Sequence, residues 1–136
     1  MSAKVLEKAI TNEDIDFDKT NAKLLADSWL FAKERLKSLN VIGRSLNNDP
    51  EDAKLIKQYI NIAFSAFEWD EVIRGIKKAN EAGLEDDGKF ALMKGIAYFE
   101  KKSITNAKNS FIEASNSKEY KDQGIAWLEY LEALNG

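Results

Sequence analysis

A chain of 136 residues, 44% hydrophobic and 32% charged, can bury a core and remain soluble, which excludes a disordered polymer. It contains neither cysteine nor histidine, so disulfides, thiol chemistry, the usual zinc ligands and the commonest general base are excluded. The net charge of −3 arises from 20 basic residues scattered among 23 acidic ones, with no basic stripe and no run of 18 apolar residues, so neither nucleic-acid binding nor membrane insertion is expected.

Seven glycines and one proline provide too few turns for an all-β chain, and helices are expected throughout. The first stretch, MSAKVLEKAI, lacks the apolar core and cleavage site of a signal peptide. It reads as the second helix of a hairpin whose first helix is missing, and the chain is therefore expected to be a fragment of a longer protein. In ITNEDIDFD, residues 10 to 18, Asp14, Asp16 and Asp18 alternate as in a calcium loop, but the required glycine and closing glutamate are absent. A solvated loop is expected there.

The run NAKLLADSWLFAKERL, residues 21 to 36, predicts a helix, and a second follows through Ser38, Ile42 and Ser45. Asp49-Pro50 predicts the next start: a capping carboxylate, a proline at the first helical position, then Glu51 and Asp52 near the positive helix end. DAKLIKQYINIAFSAF follows, with a hinge over Glu68-Trp69-Asp70-Glu71 and a further helix through Val72, Ile76 and Ala79. Ala82-Gly83 closes that helix, and Asp86-Asp87-Gly88 opens GKFALMKGIAYFEKK as a turn with a helix cap. After a hinge at Ser103-Ile104-Thr105 come Ala107, Phe111 and Ala114, then a final helix from about Lys121 to Leu134 carrying Ile125, Trp127, Leu128, Leu131 and Leu134. That helix has no hairpin partner and is expected to cover the apolar end of the preceding pair. Trp127 has two readings, capping core or partner-binding hot spot.

These elements repeat. Ala9, Ser45, Ala79 and Ala114 close the same small–large–small helix face at intervals of 36, 34 and 35 residues. Ahead of each complete face lies a partner run in which Ala26, Ile60 and Gly95 mark the close approach of two backbones, with Trp29, Ala63 and Tyr98 three residues on. The predicted fold is all-α, an α–α superhelix of about three helical hairpins plus a C-terminal capping helix. The expected organisation is one domain over 1–136: the end of a truncated repeat at 1–18, repeats at 19–52, 53–87 and 88–121, and the cap at 122–136.

This order of small, aromatic and alanine positions resembles the tetratricopeptide repeat. The third unit matches best through Gly95, Tyr98, Ala107, Phe111 and Ala114, although Glu119 stands where proline is usual; in the first unit Pro50 does fill that place. The stretch from Ala79 to Leu131 looks like the C-terminal end of the bacterial tetratricopeptide proteins associated with TonB energy-transducing systems. Their closing helix has a Trp-Leu-x-Tyr motif, here Trp127, Leu128 and Tyr130, while Lys94 departs from the family's leucine. The resemblance implies a non-catalytic protein–protein interaction scaffold in the periplasm beside TonB, ExbB and ExbD. Without it, the cytoplasm is the expected compartment. The alternative is a structural segment of a longer solenoid, forming a homodimer through the truncated N-terminal end.

Catalysis has little to draw on. The pair Asp86-Asp87 fits a cap better than an acid–base couple, no glycine pattern cradles phosphate, and no cofactor or metal site is expected. A protein or peptide partner would instead occupy the groove lined by the first helix of each hairpin. Its candidates are Lys23, Asp27 and Leu30 in the first unit, Lys57, Asn61 and Phe64 in the second, and Lys89, Leu92, Ile96 and Phe99 in the third. Lys57 and Asn61, one turn apart, resemble half of a carboxylate clamp, but Met93 stands where its polar counterpart belongs. Phe64 and Phe99 read either as core between hairpins or as an apolar stripe in the groove. For Lys57 and Asn61 the alternative is a solvated helix face.

Overall fold

Helix caps set most of the element boundaries. The computed structural model describes residues 2–135, and among them are eight helices and no strand. They are α1 (Ala3–Thr11), α2 (Lys19–Phe31), α3 (Arg35–Asn48), α4 (Ala53–Ser65), α5 (Trp69–Glu81), α6 (Lys89–Glu100), α7 (Ile104–Ser115) and α8 (Lys121–Asn135). Ser2, Asp18 and Asp52 cap α1, α2 and α4 by accepting hydrogen bonds from the backbone N–H three residues on. Asp18, one of the alternating carboxylates of the first loop, therefore has a capping role. Asp86 serves α6 in a related way, its Oδ1 accepting from the N–H groups of Gly88 and Phe90 at 2.6 and 3.2 Å.

Two expected boundaries need correction. Asp49 does not start α4; it ends α3, Pro50 and Glu51 form a turn, and Asp52 is the cap. Three carboxylates within four residues compete for that role, and only the Asp52 side chain accepts from the N–H of Leu55, at 3.0 Å. The run from Asn21 to Leu36 is also not one helix. It breaks after Phe31, where Lys33 adopts φ +62°.

That break shows how the hinges work without glycine. The N–H of Lys33 donates to the carbonyl of Leu30, and the N–H of Glu34 to that of Trp29, so a left-handed residue closes the helix with two reversed bonds. The carbonyl of Glu34 then accepts from Ser38 and begins α3. Lys102 repeats the arrangement at φ +64°, with Ser103 bonded to Tyr98 and accepting in turn from Ala107. Phe67 has φ +59° and bonds back to Phe64. Each left-handed non-glycine residue costs about 1–2 kcal/mol, a cost that the paired carbonyls offset. Positions 33, 67 and 102 lie 34 and 35 residues apart, the same beat as the buried faces.

The chain divides into two compact units, Met1–Phe67 and Glu68–Gly136, and the boundary falls at the hinge of the predicted second hairpin. Inside each unit every helix packs on the next: α1 on α2, α2 on α3 and α3 on α4 in the first, α5 on α6, α6 on α7 and α7 on α8 in the second. This is the packing mode of α–α repeat arrays. Ser38, Ile42 and Ser45, then Val72, Ile76 and Ala79, then Ala107, Phe111 and Ala114 are all buried, as their spacing predicts. Ala9 is only half-buried; Leu6 and Ile10 turn inward on α1 instead.

In the first unit, Leu6, Leu25, Ile42, Ile56 and Ile60 are among the largest fully buried side chains. Ser38 fits the close approach of α3 to α2 because it is small and its hydroxyl donates to the carbonyl of Ala26 at 2.9 Å. Lys19, the first residue of α2, reaches across to Asp49 and Asp52, both at 2.6 Å, and ties α2 to the α3–α4 turn. Donating hydrogen bonds to these two carboxylates pushes the pKa of the Lys19 ammonium up. The same ammonium, helped by the backbone N–H of Leu55, holds the Asp52 carboxyl below the usual carboxylate range. Among the described residues, no helix is long and apolar enough to cross a membrane.

Candidate functional site

The second unit grades from a closed core to an open aromatic surface. Phe111 on α7 is fully buried, and Gly95 on α6 makes room for it: a Cβ there would stand 2.5 Å from the ring. Phe111 stacks on Trp127 of α8, with ring centroids 5.0 Å apart and the planes within 5° of parallel. Trp127 meets Phe99 at 5.4 Å and Tyr130 at 5.8 Å, and Phe99 meets Tyr130 at 5.9 Å. Phe99 and Trp127 are half-buried, and Tyr130 is 49% exposed.

These three rings and Ala126 line an apolar pocket of about 290 Å³. α8 extends the apolar character beyond it. Gln123, Ala126, Tyr130, Ala133 and Leu134 are all exposed and fall on one helix face by their three- and four-residue spacing, and none is charged. Asp122 and Glu129, seven residues apart and both exposed, border that face on the Ala126 side. The surface is therefore an uncharged, mostly apolar strip with one aromatic recess and an acidic edge. It is chemically suited to a helix or extended segment that inserts an apolar anchor and carries basic residues beside it.

The groove candidates fall into two groups. On α4, Lys57 and Asn61 are exposed and one turn apart, and Phe64 is half-buried. On α6, Lys89 is exposed at the first helical residue, while Leu92, Ile96 and Phe99 are half-buried and pack against the cluster of Ala107, Phe111 and Leu131. Of these, Phe99 alone also lines the pocket. Met93 is buried and offers nothing to solvent. Asp27 is paired with Lys23 at 2.8 Å on α2. Leu30 is half-buried. Trp127 stacks on Phe111 of the core, as its capping reading expects, and one side of it lines the pocket.

Ala126 and Tyr130 were missed as pocket residues by groove reasoning, which looks only to the first helix of each pair. The available signal was the charge-free spacing of Ala126, Tyr130 and Leu134 along α8. In the first unit, a second recess of about 300 Å³ is lined by Glu7, Trp29, Lys37, Asn40, Val41 and Arg44. Its polar groups hold one another: Trp29 Nε1 donates to Glu7 at 3.1 Å, Arg44 pairs with Glu7 at 3.6 Å, and Lys37 lies 4.5 Å from the Trp29 ring centroid. They fasten α1 to α2 and α3.

Fold and pocket together define an all-α protein in which successive helices pack on one another within each of two units, with an aromatic recess beside the last helix of the second. Compared with family models, curated proteins and solved structures, the chain finds no match in any of the three.

Proposed function

We propose that the chain is a non-catalytic protein-binding scaffold of the tetratricopeptide kind that docks a protein segment on α8. The observation that carries this reading is the recess formed by Phe99, Ala126, Trp127 and Tyr130, which opens onto a helix face without charge. The 34–35-residue recurrence of left-handed hinges supports the repeat assignment, as does the packing of Gly95 against Phe111. The acidic border supplied by Asp122 and Glu129 favours a partner with lysine or arginine beside its apolar anchor. The Trp127-Leu128-x-Tyr130 resemblance directs the search to the periplasmic parts of the TonB–ExbB–ExbD motor, and with them to a periplasmic location.

Titration calorimetry with the purified periplasmic domains of TonB and ExbD tests this. One of the two binds the wild-type chain, and Tyr130→Asp weakens that binding at least about tenfold, or ~1.4 kcal/mol, with helicity unchanged because Tyr130 is 49% exposed. Silence from both domains would remove the TonB assignment. Binding indifferent to Tyr130→Asp would remove the pocket.

A further inference from the structure

The recess of the first unit holds what the aromatic pocket lacks, a row of uncommitted hydrogen-bond donors. Lys37, Asn40 and Arg44 follow one another at three- and four-residue steps on α3, and all three line the recess. Among the described residues none of their side chains meets a hydrogen-bond acceptor. The Lys37 ammonium lies 4.5 Å from the Trp29 ring centroid, and a ring face orients a cation without supplying a compensating charge. Arg44 lies 4.1 Å from the Phe17 ring centroid, and its approach to Glu7, at 3.6 Å, is an ion pair too long for a hydrogen bond. Glu7 accepts instead from Trp29 Nε1, at 3.1 Å. Asn40 is exposed, and its amide is open to a ligand.

We infer that this recess binds a small organic carboxylate, held by Lys37, Asn40 and Arg44 above a floor of buried Trp29 and Val41. Charge selects the class. The lining carries Lys37 and Arg44 against Glu7, a net positive charge in a chain of net charge −3, so one carboxylate balances it. A phosphate dianion would leave excess negative charge beside Glu7. Size narrows it further: about 300 Å³ is at the lower end of ligand clefts, room for a small acid and not for a nucleotide. The two rings hold the cations in place before a ligand arrives, which lowers the ordering cost of binding. This inference is independent of the proposed function, which concerns the other unit.

Proton–nitrogen correlation spectra of the whole chain, titrated with benzoate, propionate and succinate, test it. Benzamide, which has the shape of benzoate without its charge, and inorganic phosphate are the comparators. At least one carboxylate shifts the Trp29 indole and the amides of 37–44 saturably, with a Kd on the order of 1 mM. Benzamide causes no such shift, and phosphate binds more weakly. Lys37→Gln and Asn40→Ala, both at exposed positions, each weaken binding at least about threefold with unchanged helicity. Lys54→Gln, which removes an exposed charge from α4 of the same unit, leaves binding as in the wild type. The absence of a saturable shift with all three acids up to about 20 mM, well above that Kd, overturns the inference. So does benzamide or phosphate binding as tightly as the best carboxylate, indifference to both α3 substitutions, or an equal loss in Lys54→Gln.

Discussion

Replacing Phe111 with alanine removes about 3–5 kcal/mol from the stability of the C-terminal unit, enough to leave it largely unfolded at room temperature. Phe111 heads the fully buried side chains by volume and stacks on Trp127, and its ring occupies the space that Gly95 leaves on α6. Removing it opens a cavity where α6, α7 and α8 converge and takes away the partner of the closing helix. Two of the three boundaries of that cavity are poorly placed to collapse into it: Gly95 has no side chain to move, and Trp127 is held against Phe99 and Tyr130. Urea denaturation followed by circular dichroism measures the loss. A cost below about 1 kcal/mol would mean that the ring is not in a core at all.

Adding one methyl group at Gly124 has the second largest effect, a loss of about 1–3 kcal/mol or more. A Cβ there would stand 2.6 Å from the backbone nitrogen of Ser115 and 2.9 Å from the carbonyl oxygen of Phe111. Those atoms belong to the backbone of α7, which cannot turn aside as a side chain can, so α8 must lift away. Gly95→Ala differs in kind. Its obstacle is the Phe111 ring, and shortening that ring in a Gly95→Ala/Phe111→Leu double variant restores space, whereas no side-chain change relieves Gly124→Ala. Thermal melts of Gly124→Ala followed by circular dichroism show the effect directly. An unchanged melting temperature would contradict the close approach of α8 to α7.

Most of the fold was legible because helix faces obey a period that survives changes of residue. Ser38, Val72 and Ala107 share one slot in three faces and all three are buried, although their chemistry differs. The turns at Ala82-Gly83 and Asp86-Gly88 were equally plain, since glycine and aspartate carry their own conformational preferences. The break after Phe31 was hidden because Lys33 is a good helix former; only the paired carbonyls of Trp29 and Leu30 hold it at φ +62°. The true cap at Asp52 was hidden among neighbours of the same charge.

The pocket was less legible than the fold. Sequence spacing placed Leu92, Ile96 and Phe99 on a first helix but could not say that α8 would lie against them. It also counted Ile125 and Leu134 with the apolar residues of the closing helix, where both are exposed and Gly124 and Leu131 are the buried ones. An amphipathic pattern with apolar residues on both sides does not by itself say which side is covered.

Short helices end at left-handed hinges one period apart and, within each unit, pack through small residues at their closest approaches. Backbone chemical shifts with amide nuclear Overhauser effects in solution test this most directly. The expected result is helical shifts interrupted at 32–34, 66–68 and 101–103, positive-φ shifts at Lys33, Phe67 and Lys102, and proximity of Gly95 to the Phe111 ring and of Gly124 to the backbone of Ser115. Helical shifts running unbroken through any of those three hinges, or extended-strand shifts within the eight helices, would contradict it.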